Sequence, residues 1–368
     1  MKKLLFITHQ LSLSGAPLVL MEMIRVCRDE GYEISVISLM EGELSATLDD
    51  MGIPWRVQAD FLQNWKEFYL EVHGYHAVIV NTLVAYQPLI VLNHTQVPTF
   101  WWIHESEDFF EIYDKMGEAV PDLHALKPRV KILSVSPSVQ EIFRRRYGLE
   151  TEILPFCVQD NDNVTAISSP EETRADDRVK FLTLGMYCAN KGQDILAEAI
   201  RMLPESVLSQ CEFHMYGGAV VLEPDFRSQV REALKDIPHA HVHDAIPHEE
   251  AMNVMEESDY CIIASRIEPV SAVTVEAMIR RKPCILTDVC GIAWYLKDGE
   301  SAYFCPSEDA KALSDRICKA VEDYRTHAED YRAMGNAARA VYEQTFSPGV
   351  FRKSVLHLLG DNNALVSQ

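Results

Sequence analysis

Two successive series of short apolar runs, separated by longer amphipathic stretches, constrain this chain more than any other feature. The first series is LLFIT (4–8), ISVISL (34–39), AVIVN (77–81), TFWWI (99–103) and VKILSVS (130–136). The second is VKFLTLG (179–185), CEFHMYGG (211–218), HAHVHD (239–244), DYCIIAS (259–265) and KPCILTD (282–288). Runs of this length and β-branched content read as buried strands. Helical patterns lie between them, at 17–28, 137–148, 194–202, 225–234, 248–257 and 271–281. Alternation of this kind implies a parallel sheet covered by helices on both faces.

The alternation fails at VQDNDNVTAISSPEETRADD (158–177), which is polar, acidic and aperiodic. It reads as a linker. The chain is 368 residues long, more than one core usually serves. The expectation is therefore α/β, with two doubly wound Rossmann-like domains facing a central cleft. The first spans 1–160, the linker 161–178 and the second 179–345. Helices near 308–323 and 328–345 end the second domain, and the segment 346–368 is expected to cross back onto the first. In open parallel sheets, ligands bind beyond the carboxyl ends of the strands. Chemistry is therefore sought just after strands.

Composition narrows the partners. Asp and Glu outnumber Lys and Arg by 55 to 34, a net charge of -21, which argues against a nucleic-acid partner. Two local basic stretches, 127–131 and Arg144-Arg145-Arg146, leave peripheral membrane contact open, with solvated helix faces as the plainer reading. The nine cysteines are scattered without a CxxC, which fits a reduced, cytoplasmic protein rather than a disulfide framework or a zinc site. The opening MKKLLFITHQ turns polar after Ile7 and reads as a first strand rather than a leader, and no apolar run of 18 residues occurs.

Four stretches stand where chemistry is expected. IEPVSAVTVEAM (267–278) leaves the strand DYCIIAS and holds two acids, Glu268 and Glu276, seven residues apart. Pro269 discourages helix at Glu268, and Ser271 suits an N-cap. The amides of Ala272, Val273 and Thr274 would then be free to meet an anion such as a diphosphate. Carboxylates accept hydrogen bonds from hydroxyls, so an anion site flanked by two of them fits a nucleotide sugar. The plainer alternative is that Glu268 only favours a helix N-terminus and Glu276 is surface-exposed, although the apolar neighbours of Glu276 argue against its exposure. LGMYCANKGQD (184–194) places Lys191-Gly192 at a helix start, where the ammonium could meet the same phosphates. HQLSLSGAP (9–17) holds Gly15, which would allow close backbone approach to a ligand. WWIHES (101–106) ends an apolar strand on His104, which could donate to a sugar hydroxyl or serve only as a structural donor. A GxGxxG dinucleotide fingerprint is absent. The acidic pair Asp160 and Asp162 lies in the polar segment and does not read as a cation site, so no metal ligands are assigned.

In order and spacing these pieces resemble the retaining glycosyltransferases of family four, which have the GT-B fold. IEPVSAVTVEAM looks like that family's E-x7-E signature, NKGQD like its Lys-Gly element and SGAP like its N-terminal glycine loop. The resemblance implies sugar transfer from a nucleotide-diphosphate sugar to a hydroxyl acceptor, carbohydrate or lipid-linked, in polysaccharide or glycoconjugate biosynthesis. It implies no cofactor beyond the donor substrate and no metal. Glu268 would contact the donor sugar nearest the reaction, with His104 beside it as the second catalytic residue. Glu276 would hold the ribose. Lys191, Ser271 and the amides of Ala272 and Val273 would serve the diphosphate, and Gly15 the phosphates or acceptor. Base contacts are expected near 216–219 and 244–246. The family often has Arg where Met186 stands, Phe-Gly where Val270-Ser271 stand, and Gly at Cys290. Arg266, two residues before Glu268, is the expected replacement for the missing cation. An epimerase on the same fold, or a non-catalytic sugar-nucleotide-binding relative, are the alternatives.

Overall fold

The protein is represented by a computed structural model that describes residues 2–117, 120–160 and 178–360. Its chain divides into two compact units. One runs to Cys157 and resumes at Pro348; the other is Val158–Ser347. Most of the expected linker, 161–177, lies outside the described residues.

The first unit is built on β1 (Lys3–Thr8), β2 (Glu33–Ser38), β3 (Trp55–Val57), β4 (Ala77–Asn81), β5 (Thr99–Ile103), β6 (Val130–Ser134) and β7 (Glu152–Ile153). They form one sheet in the order β3-β2-β1-β4-β5-β6-β7, with every pair parallel. The central strands β4 and β5 are buried at every position, which is why their sequences are continuous apolar runs. Order reverses between β1 and β4, the switch point where such sheets take ligands. The helix Pro348–Leu358 belongs to this unit. Its Phe351, Val355 and Leu356 join the core that holds Leu4, Phe6 and Trp102, and its Arg352 pairs with Glu30.

The second unit holds β8 (Val179–Leu184), β9 (Cys211–Tyr216), β10 (Ala240–His243), β11 (Tyr260–Ile263), β12 (Cys284–Thr287) and β13 (Tyr303–Cys305). The order is β10-β9-β8-β11-β12-β13, again parallel throughout. The strands β3, β7 and β13 have no counterpart in the sequence expectation. They are two or three residues long and sit at or next to sheet edges, where a strand needs no long apolar run.

The helix Ala328–Thr345 packs against the helix Ala272–Ile279 and closely approaches the turn that follows it. A Cβ added at Gly335 would lie 2.2 Å from the carbonyl oxygen of Arg281. Replacing a mid-helix Gly by Ala ordinarily stabilises by about 0.5–1 kcal/mol. Here the sign should reverse, since the added methyl meets backbone rather than a mobile side chain. Gly335→Ala should therefore cost about 1–3 kcal/mol in urea denaturation, and a stabilised variant would show that the turn at Arg281 gives way easily.

Candidate active site

The second unit gathers its charged groups at the exits of β8 and β11. After β8 the chain forms a short 3-10 turn, Ala189–Lys191, and Gly192 then adopts φ +66°. A Cβ at Gly192 would fall 2.0 Å from the Ala264 carbonyl oxygen. Only glycine satisfies both the conformation and the contact. The approach is fixed further by the Arg266 amide, which donates to the Asn190 carbonyl at 2.8 Å. The two loops are thus locked together, and Lys191 is carried onto the loop that holds Glu268.

There the Lys191 ammonium pairs with Glu268 Oε2. The Glu268 side chain is only 11% exposed, and Ser265 Oγ donates to the same carboxylate oxygen at 3.4 Å. Burial works against the charge on Lys191, but the Glu268 carboxylate more than offsets it and holds the amine above its ordinary range. Just beyond, Ser271 caps the helix Ala272–Ile279, its Oγ accepting from the Thr274 amide at 3.2 Å. The amides of Ala272 and Val273 precede the first intrahelical donor, the Val275 amide, and carry the positive end of the helix dipole. A carboxylate, an ammonium and a free helix terminus therefore meet at one strand exit.

Glu276 is also mostly buried, at 13% exposed, and its Oε1 lies 2.8 Å from His248 Nε2. Both line a pocket of about 430 Å³ with Val158, Gln159, Met252 and Arg280. Arg266 is committed elsewhere. Its guanidinium forks onto both Asp194 oxygens at 2.8 Å and reaches Glu308 at 3.0 Å and the Ala189 carbonyl at 2.6 Å. Met186 stands 57% exposed beside this loop.

The first unit holds a second cluster at the switch point. Asn81 Nδ2 donates to the Ala16 carbonyl at 3.1 Å, in the helix Gly15–Asp29, which Gly15 begins. That bond turns Asn81 Oδ1 toward His104 Nε2, 2.9 Å away. The histidine must donate there, which leaves its Nδ1 as an acceptor. Burial, reinforced by His9, holds the His104 pKa at about 3, so the ring is neutral at physiological pH. Thr82 follows with φ +80°, a strained conformation for a β-branched residue, and its hydroxyl lies 3.1 Å from His9 Nδ1.

Glu105 completes this cluster and was not singled out from the sequence. Its carboxylate accepts from the Leu83 amide at 2.7 Å and the His104 amide at 2.9 Å. The sequence signal was available, since an acid directly follows an apolar strand. The Thr82 backbone leaves no such signal. His248 also went unmarked, as an exposed residue opening a helix. Of the acidic pair in the polar segment, Asp160 is bonded to Arg339 at 2.6 Å, and Asp162 lies outside the described residues. The triple arginine is occupied by Glu141, Glu150, Glu107 and Asp114.

Comparison with known proteins decides the family. The family model described as glycosyl-transferase family 4 matches residues 1–140, and that described as glycosyl transferases group 1 matches residues 165–341. The chain belongs to glycosyltransferase family 4. Among curated relatives, mannosylfructose-phosphate synthase of Agrobacterium fabrum is 21% identical over 255 residues, covering 66% of this chain and 56% of that protein. The chain thus spans little more than half the length of that relative. Among solved structures, a glycosyltransferase from Rickettsia africae matches with a TM-score of 0.78 at 16% identity, over 100% of both chains. Anabaena HepE, solved in complex with UDP and glucose, matches with a TM-score of 0.77 at 19% identity, over 98% of this family 4 chain and 100% of HepE. The fold is that of the GT-B glycosyltransferases.

The buried acid of the family 4 chain makes a testable pH dependence. Burial raises the Glu105 pKa from 4.5 to about 7, against the pull of the amides it accepts from. The folded state therefore holds this proton more tightly than the unfolded chain. Its contribution to stability is full below about pH 4.5 and is lost as pH rises through about 7. Glu105→Gln cannot titrate, so it should flatten that part of the stability curve in urea denaturation at stepped pH. An unchanged slope would show that Glu105 ionises like an exposed acid.

Proposed function

We propose that the protein transfers a sugar from a nucleoside-diphosphate sugar to a hydroxyl acceptor, with retention at the anomeric carbon and without a bound metal ion. The observation that carries this reading is the pairing of Lys191 with Glu268 beside the free amides of Ala272 and Val273. The two charges suit the two halves of such a donor. The diphosphate takes Lys191 and the helix amides, where anions bind. Glu268, released from the ammonium, accepts hydrogen bonds from the donor sugar. Glu276 opens onto its own pocket beside His248 and holds the ribose diol.

As the sugar–phosphate bond breaks, its electron pair goes to the diphosphate. Lys191 and the helix amides stabilise that charge in place of a metal. The acceptor oxygen bonds to the anomeric carbon on the face that the diphosphate leaves, and the departing phosphate oxygen takes the acceptor proton. His104, neutral and with Nδ1 as an acceptor, positions a sugar hydroxyl, and Gly15 keeps the neighbouring helix start open. Arg266 acts as a brace, because a direct role with the diphosphate would require it to leave Asp194 and Glu308. The UDP and glucose held by HepE make a UDP-sugar the donor to try first.

The acceptor belongs to polysaccharide or glycoconjugate assembly. The nine free cysteines, most of them buried, support a reducing compartment such as the cytoplasm. No helix among the described residues is long and apolar enough to cross a membrane. Peripheral membrane contact would draw on exposed apolar side chains such as Leu62, Trp65 and Leu70, because the triple arginine is already paired.

Two variants test the division of labour. Lys191→Met should weaken UDP binding and lower turnover about a hundredfold or more, on the order of 3 kcal/mol. Glu268→Gln should abolish transfer to an added acceptor while binding UDP as tightly as the wild type, or tighter, because Lys191 is no longer held. Equal loss of UDP affinity in both variants would contradict the reading. Product formed only when an acceptor is added separates transfer from epimerisation. Turnover should also persist in EDTA; loss of activity restored by manganese would refute the metal-free step.

A further inference from the structure

Two strands at one edge of the second sheet carry a pattern that sugar transfer does not use. Alternation along β9 places Glu212, His214 and Tyr216 on one face, and alternation along β10 does the same for His241 and His243. The register sets His241 beside His214 and His243 beside Tyr216. The opposite face of β9 carries Phe213 and Met215 into the core, so the histidine face is half-exposed by construction.

The distances from Glu212 on this face do not suit direct hydrogen bonds. Glu212 Oε1 lies 3.5 Å from His214 Nε2 and 3.4 Å from His241 Nε2. Hydrogen bonds between such groups prefer about 2.7–3.2 Å. A tetrahedral ion bound at about 2.0–2.1 Å instead spaces neighbouring ligand atoms about 3.3–3.4 Å apart. The ligand atoms of Glu212, His214 and His241 all lie within 4.8 Å of one another. A further contact orients the set, because His214 Nδ1 lies 3.1 Å from His243 Nε2. With His214 donating there, its Nε2 lone pair faces the Glu212 carboxylate, an arrangement that a cation resolves. A ligand histidine fixed through its other nitrogen is the usual support of a metal site.

We propose that Glu212, His214 and His241 bind a divalent transition metal ion of the zinc type, with His243 orienting His214 and the fourth position open to water. Two histidines and one carboxylate are a ligand set that zinc accepts. The ion ties the edge strand β10 to β9. It takes no part in the sugar-transfer reading and does not depend on it.

The test uses the full chain, stripped of metal by chelator and desalted, titrated with zinc chloride by calorimetry. One zinc per chain is expected, with a rise in melting temperature on binding. His241→Ala, at a half-exposed position, and the near-isosteric Glu212→Gln should both remove this binding while circular dichroism stays that of the wild type. His243→Ala should weaken it about 10–100-fold. Cobalt in place of zinc should give visible bands without sulfur-to-metal charge transfer. The proposal fails if the wild type takes up no stoichiometric zinc. It fails equally if both ligand variants bind as the wild type does, or if cobalt shows thiolate ligation, since the ion would then sit on the cysteines.

Discussion

The second unit's site depends on one backbone contact, the approach of Gly192 to the Ala264 carbonyl. No other residue could be placed there, because a Cβ would fall 2.0 Å from that oxygen. The contact fuses the exit loops of β8 and β11 into one body. Arg266 then fastens it from both sides, by its amide to Asn190 and by its side chain to Asp194, Glu308 and the Ala189 carbonyl. Only with these loops fused does Lys191 reach Glu268, and only there do the two stand before the open end of the helix Ala272–Ile279. A cation that the sequence suggested for the donor is thus better explained as the clamp that holds Lys191 beside Glu268.

The two units solve opposite electrostatic problems. In the second, a partly buried carboxylate and ammonium satisfy each other, and their pairing lowers the cost of keeping both charges out of water. In the first, burial removes charge instead. His104 is held neutral and Glu105 is pushed toward protonation. Around them a strained Thr82 and the Asn81 bridge to Ala16 fix the geometry. A paired-charge site suits an anionic, doubly functional ligand. A preorganised set of donors and acceptors around a neutral His104 suits a polyol.

Much of this was legible in the sequence. The central strands could be read because burial on both faces forces continuous apolar runs. The Ser271 cap, the free amides behind it and the low exposure of Glu276 followed from local pattern. The rest depends on contacts between segments far apart in the chain. The edge strands β3, β7 and β13 are too short to leave a periodicity. The engagement of Arg266 by Asp194, 72 residues away, has no local signature, and neither does the positive φ of Thr82. The histidine face of β9 and β10 shows why pairing matters. Each strand alone carries an unremarkable alternation, and only the register between them brings Glu212, His214 and His241 together.

The central claim is that the Lys191–Glu268 pair exchanges partners when the donor arrives, giving the ammonium to the diphosphate and the carboxylate to the sugar. A crystal structure of the complex with UDP tests it directly. The account predicts phosphate oxygens within hydrogen-bonding distance of Lys191 Nζ and of the Ala272 and Val273 amides, with Glu268 released from the ammonium. A complex in which the Lys191–Glu268 pair stays intact and the diphosphate binds away from that helix terminus would contradict it.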